Sequence, residues 1–282
     1  MIKRSGGSVL LGAAVASIEV DSSGAVTAVE TAARGEKPSQ RIEARLVLAN
    51  NAPDAIARML PEEAGQRFAA AFAGRPLSTS LFSVHLGLKA NPAQFGLTGY
   101  STIHLPSWVT ALSDYAKSAA LLGANPAGKL PPFAIANYGA IDARLDDGGP
   151  ILVSLAGTDD VSNWRGLSKD QERARRDAWL DAILEELERQ YPGFTGAVEQ
   201  KVFLSAASME RYLGTPDGAV YGFDPIPPAQ PLWRGMPRSP KTPVQGLYLA
   251  SSWGGSGGFS GAMAAGSEAA GLAIAALSRK HG

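Results

Sequence analysis

Between Leu247 and Leu277 the chain reads LYLASSWGGSGGFSGAMAAGSEAAGLAIAAL. An apolar run leads into a turn in which five of the eight positions from 254 to 261 are glycine, and a run of small residues follows. Glycine loses more conformational freedom on ordering than any other residue, so this concentration answers to positive φ or to backbone pressed close to something bulky. A glycine-rich turn from strand into helix also presents unpaired N–H groups and the positive end of the helix dipole. The chemistry that suits those groups is the holding of an anionic or electron-rich ligand. Taken alone, the same turn is explained by tight helix–strand packing.

Other reactive residue types are sparse. Among 282 residues there is no cysteine, which excludes disulfides and thiol chemistry, and the three histidines His85, His104 and His281 are scattered, so no metal site is expected. His85 lies in an alternating, strand-like run, where a satisfied strand histidine is the first reading and a catalytic base the second. LDDGG looks like part of a metal loop but lacks the other ligands, so it reads as a hairpin turn. Lysine plus arginine and aspartate plus glutamate both number 26, and nothing in that balance points to nucleic acid. No apolar run reads as long enough to span a bilayer, the stretch after Gly261 coming closest.

The elements that must position the turn follow from pattern. Val9–Leu11, Val15–Val20 and Val26–Thr31 are β-prone, with the turn signal DSSG between the last two. Leu46–Ala49 is a continuous apolar run, which predicts a strand buried on both faces. Asp54–Leu60 and Glu62–Phe72 read as helices. Strands are then expected in Ser78–Ala90, GYSTIHL, PFAIANYGAI, PILVSLAG and Lys201–Ser205, and a helix in WVTALSDYAKSAALL. Ser168 caps a long helix with apolar positions at helical spacing, which Pro192 and Gly193 stop, and its charged run from Lys169 to Arg189 is a solvated face. Pro225–Pro243 reads as an ordered connecting loop, and Trp108, Trp164 and Trp233 as packing residues. Two α/β pieces at the ends thus flank an α+β middle and can share one sheet.

Several segments together resemble a known family. SGGSVLLGAAVASIEVDSSGAVTAVET, LVLANNAP, AIDARLDDGGPILVSLAG, YLGTPDGAVYGFD and the glycine turn stand in the order found in the C-terminal part of flavoproteins of the phytoene desaturase, carotenoid isomerase and retinol saturase type, within the flavin amine oxidase superfamily. The resemblance implies an α/β fold: an incomplete FAD/NAD(P)-binding Rossmann-like domain, residues 1–58 and 240–282, with an inserted α+β substrate-binding domain, residues 59–239. It implies FAD contacts at Gly257, Gly258, Phe259, Ser260 and Gly261, and at the N–H groups of Ala262 and Met263. Val15 falls where the family's backbone meets adenine, and Asn50 and Ala52 at the strand end facing the cofactor. Tyr221 and Tyr212 are candidates for a substrate tunnel, core packing being the equal alternative. Ala250 stands where the family has its first glycine, Gly254-Gly255 in place of His-Pro, and Phe259-Ser260 in place of Val-Pro.

The family's opening strand–GxGxxG–helix and its ribose-binding acid have no counterpart here, so the chain reads as a C-terminal fragment whose own grip on FAD is weak or absent. The implied activity is hydride transfer at an apolar, polyene-like substrate. Flavin amine oxidation and a non-enzymatic interaction domain are the alternatives. A separate chain carrying the nucleotide-binding half, a cytoplasmic location and peripheral contact with a membrane complete the expectations.

Overall fold

The computed structural model describes residues 1–33, 38–145, 148–224 and 239–278. Asp146 and Asp147 of the LDDGG turn, Trp233, His281 and most of the Pro225–Pro243 loop lie outside the described residues. The chain divides into two compact units, Met1–Ser78 with Tyr221–Gly282, and Thr79–Val220. The expected boundaries, 58/59 and 239/240, assign the helix Glu62–Phe72 to the middle piece, whereas by compactness it belongs to the split unit.

The split unit is built around two small sheets. β1 (Val15–Val20), β2 (Val26–Thr31) and β3 (Arg41–Glu43) form an antiparallel meander. The DSSG turn closes because the Asp21 carboxylate accepts from the N–H of Ser23 at 2.8 Å and of Ala25 at 3.1 Å, while Gly24 adopts φ 80°. β4 (Val47–Ala49) pairs in parallel with β10 (Leu247–Leu249), joining segments about 200 residues apart in one sheet. α1 (Pro53–Met59) and α2 (Glu62–Phe72) follow β4, and α6 (Gly258–Ser278) follows the glycine turn.

Three expectations are corrected here. Val9–Leu11 forms no strand, and Leu11 is 82% exposed. β4 is not buried on both faces: Leu48 is 44% exposed, because a parallel strand is covered on both sides only when other layers stand over it. α6, with 21 residues, is by length and composition long and apolar enough to cross a membrane. It buries Gly261, Ala265, Ala269 and Ala273, one residue per turn, and leaves Phe259, Met263 and Ile274 exposed.

The inserted unit is a five-stranded antiparallel sheet in the order β6 (Ser101–His104), β7 (Phe133–Asn137), β8 (Ile151–Asp159), β5 (Ser80–Leu88), β9 (Val198–Leu204). One face carries Phe82, Val84, Leu86, Leu88 and Leu155, all fully buried against Trp179, Ile183 and Leu187 of α4 (Lys169–Gln190). The Ser168 side chain accepts from Gln171 N–H and the Gln171 side chain accepts from Ser168 N–H, a reciprocal cap at the predicted place. α3 spans only Leu112–Ser118, shorter than expected, because the Asp114 carboxylate takes the N–H groups of Thr110 and Ala111 and so sets the helix start. α5 (Ala206–Leu213), not foreseen, starts at the cap Ser205 and ends at Gly214 with φ 64°.

Candidate functional site

Parallel pairing of β4 with β10 brings their carboxyl ends to one edge. The pairing runs Leu247 to Val47, Tyr248 to Leu48 and Leu249 to Ala49, and Ala250 N–H continues it by donating to the Ala49 carbonyl at 2.8 Å. Beyond that point β4 gives Asn50, exposed, and Ala52, 3% exposed, whose carbonyl accepts from Ile56 N–H at the start of α1. β10 gives Ser251 and the glycine turn. Two sequence-predicted positions and the predicted turn are thus neighbours at the carboxyl edge of parallel strands, the place where open α/β sheets take ligands.

Ser251, which sequence reasoning did not single out, is 3% exposed, and its hydroxyl has no hydrogen-bond partner among the described residues. The turn itself is pinned by Tyr221–Phe223. Gly258 N–H donates to the Tyr221 carbonyl at 3.2 Å, and Phe223 meets Trp253 edge to face at 4.9 Å. Tyr221 N–H donates in turn to the Ser78 hydroxyl at 3.0 Å.

The glycines separate by cause. A Cβ on Gly254 would stand 2.7 Å from the Leu249 carbonyl oxygen, one on Gly255 2.5 Å from that of Gly261, and one on Gly257 (φ 85°) 2.9 Å from that of Tyr221. A Cβ on Gly261 would come within 3.1 Å of Ser256. The turn's own packing therefore excludes a side chain at Gly254, Gly255 and Gly257 and crowds one at Gly261. Gly258, at φ 65°, would place a Cβ 3.7 Å from the Tyr221 ring, an ordinary contact, so only its backbone angle favours glycine.

The remaining candidates spread out. Phe259 is 88% and Met263 77% exposed, on the outer side of the first turns of α6, with Ser260 exposed between them and Ala262 half-buried. Val15 opens β1 and is 38% exposed. Tyr221 is 40% exposed beside Gly258. Tyr212 is on α5 of the other unit, 72% exposed, with the Arg211 guanidinium 5.1 Å from its ring centre. A cavity of about 930 Å³ lies elsewhere in the split unit, lined by Leu46, Leu247, Lys241 and the last turns of α6 at Leu272 and Leu277. It sits at the amino ends of β4 and β10, the opposite end from the glycine turn, so its size does not make it the ligand edge.

The sequence matches the family described as flavin containing amine oxidoreductase over residues 1–274. The chain belongs to that family. Among curated proteins none matches. Among solved structures, an oxidoreductase from Methanosarcina mazei is similar at 15% identity with TM-score 0.54, over 96% of this chain and 50% of that one. A putrescine oxidase redesigned in its cofactor binding is similar at 17% identity with TM-score 0.51, over 97% of this chain and 51% of that one. At these identities the likeness is one of fold, and the chain spans about half the length of both. Membership implies a flavin cofactor. The residues at the carboxyl edge fit one in part: Ser251 offers a buried, unsatisfied hydroxyl, and the first turn of α6 offers N–H groups without intrahelical acceptors.

Proposed function

We propose that this chain forms the glycine-turn side of an FAD site in a flavin-dependent oxidoreductase acting by hydride transfer on an apolar, extended substrate of the polyene type. The observation that carries the reading is the buried, unpartnered Ser251 hydroxyl at the edge shared by Asn50, Ala52 and the glycine turn. Leaving such a group unsatisfied costs about 1–3 kcal/mol, and of the buried unpaired groups, with Ser80, Thr215 and one oxygen of Asp54, Ser251 is the one at the end of β10. Bound flavin supplies the two-electron chemistry, while the protein orients it and sets the field around it. The start of α6 favours negative charge beside it through the helix dipole and free N–H groups. Ser251 donates or accepts one hydrogen bond, and Tyr221 offers a ring beside the turn. None of these groups is a strong acid or base, so their part is binding and orientation.

In this reading the pyrophosphate grip of a strand–GxGxxG–helix comes from outside the 282 residues, either as further sequence or as a separate chain. The full protein is placed in the cytoplasm, meeting membranes peripherally to reach an apolar substrate. A second reading, oxidation of an amine, is favoured by the family match and by the putrescine oxidase among the similar folds. Titrating FAD with the chain and following flavin fluorescence tests the half-site: the expected dissociation constant is weaker than about 0.1 mM. Tight stoichiometric binding would show that the chain needs no second half.

A further inference from the structure

The face of the five-stranded sheet turned away from its core carries a second arrangement. Strand pairing sets Ala136, Ser154 and His85 side by side across β7, β8 and β5, and Ala134, Ala156 and Ser83 in the adjacent row. The middle of the face is therefore floored by small side chains. Larger apolar ones stand on the outer strands, with Ile103 on β6 paired to Ala134, and Val202 and Leu204 on β9 paired to His85 and Ser83. Ile103 is 66% and Val202 50% exposed, Ala134 is exposed, and Ala136, Ser154, Ala156 and His85 are half-buried. A sheet face with its bulk at the margins and methyl or hydroxymethyl groups at its centre is a shallow trough.

His85 supplies polarity at one side of that trough. Its Nδ1 lies 2.9 Å from the Ser154 hydroxyl and its Nε2 3.2 Å from the Ser83 hydroxyl. Burial pushes the imidazole down from its usual range, so the ring is neutral at pH 7. A neutral ring donates from one nitrogen and accepts at the other. Whichever tautomer holds, one serine accepts from the ring and keeps its own O–H to donate, and the other donates to the ring and keeps lone pairs. The trio can thus offer a third party one donor and one acceptor. The two rows across all five strands contain no carboxylate and no cation. A ligand cation there would lose water without gaining a counter-charge.

We infer that this trough binds an uncharged, largely apolar molecule carrying one hydroxyl or carbonyl, with the Ser154–His85–Ser83 trio as its polar anchor and His85 as the residue that sets specificity. The inference rests on the proposed apolar substrate and narrows it: the trough takes the neutral member of a neutral/ammonium pair. An amine that enters as an ammonium ion fits it poorly, which separates the two enzymatic readings by physical chemistry.

The experiment uses farnesol and farnesylamine, alike in chain and different in head group, titrated calorimetrically into the whole chain at pH 7.5. Farnesol is expected to bind about tenfold or more tightly than the amine, and His85→Phe to weaken farnesol binding while the amine stays weak. Adding farnesol to chain carrying 15N-labelled histidine is expected to move the His85 ring resonances, which a purely structural histidine would not show. If His85→Phe does not fold, Ser154→Ala and the ring resonances of the native chain give the answer. Equal or tighter binding of the amine, absence of farnesol binding, or unmoved ring resonances at farnesol saturation overturns the inference. Flavin titration reports separately: FAD binding without head-group preference sinks the trough alone, and head-group preference without FAD binding supports the trough independently of the flavin half-site.

Discussion

Two buried polar groups, one in each unit, show opposite solutions to the same problem. Asp159, at the end of β8, is 1% exposed, and its carboxylate accepts four N–H groups: Asp160 and Asn163 Nδ2 on one oxygen, Trp164 Nε1 and Ala206 on the other, at 2.8–2.9 Å. Ser251, at the end of β10, is 3% exposed and has no partner among the described residues. The carboxylate is buried deeply enough that burial pushes its pKa up, yet four donors aimed at two oxygens are what an anion requires. It ties β8, the turn after it and the start of α5 into one structure. Asp159 thus has both oxygens matched by donors of its own unit, whereas Ser251, where the parallel strands end, has none among the described residues; Ser80, Thr215 and one oxygen of Asp54 are buried and unpaired as well. What sets Ser251 apart is its place at the carboxyl edge of the parallel strands, and that place is the reason to put a ligand there and a structural lock at Asp159.

Breaking the lock should have the largest effect. Asp159→Ala leaves four buried or half-buried donors without an acceptor and is expected to destabilise the inserted unit by about 3–5 kcal/mol. Hydrogen exchange resolved along the chain checks this: amides of β5, β8 and α5 should lose protection together, while those of β1 and β2 keep theirs. Uniform loss over both units, or none, would mean that the carboxylate is not the lock.

Ser251→Ala should act with the opposite sign. Removing a buried hydroxyl with no partner is expected to stabilise the split unit by about 1–3 kcal/mol, read as slower exchange of the β10 amides. The same substitution should weaken whatever FAD binding the chain has. A destabilised variant would reveal a hydrogen bond at Ser251 and remove the distinction from Asp159.

Much of this was legible in the sequence, for reasons that differ by element. The union of the two ends in one sheet was legible because two short apolar runs, each ended by turn residues, can be buried only together. α4 was legible from Ser168, the apolar spacing and Pro192-Gly193. Val9–Leu11 misled because apolar composition does not supply a pairing partner, and no strand among the described residues pairs with it. α5 carried its signals, a Ser205 cap with Ser208 at its third helical position and Gly214 after its end, but they follow a strand directly. At the candidate site the turn was legible and its cause was not: most of its glycines answer to carbonyls contributed by Leu249, Gly261 and Tyr221, a contact set that exists only after folding. The Asp159 donors come from residues 160, 163, 164 and 206, and the isolation of Ser251 from the lack of a polar group within reach among the described residues that surround it. Neither leaves a pattern along the chain.

The smallest expected effect sharpens the same contrast with a group that is satisfied only while neutral. His104 on β6 is 9% exposed, stacks on Phe133 at 4.6 Å between ring centres, and its Nδ1 accepts from the Gln190 amide of α4 at 2.8 Å. Burial holds its pKa below the ordinary 6.5, Glu186 at 3.7 Å opposes that shift, and Arg189 adds to it. Because the folded value is lowered, the unfolded chain takes up the proton first as pH falls. The stabilising contribution is therefore complete above about pH 6.5, declines as pH falls from there toward the folded value, and is absent below it. Protonation also gives Nδ1 a hydrogen facing the donor on Gln190, so the link between the edge strand and α4 must turn or break. Exchange of the β6 amides between pH 8 and pH 5, corrected for intrinsic rates, should show protection falling in the acid range, and His104→Phe should flatten that dependence while leaving the β10 amides unaffected. The same slope in both proteins would assign the acid sensitivity to another group, with His85, whose pKa is also lowered by burial, the next to test.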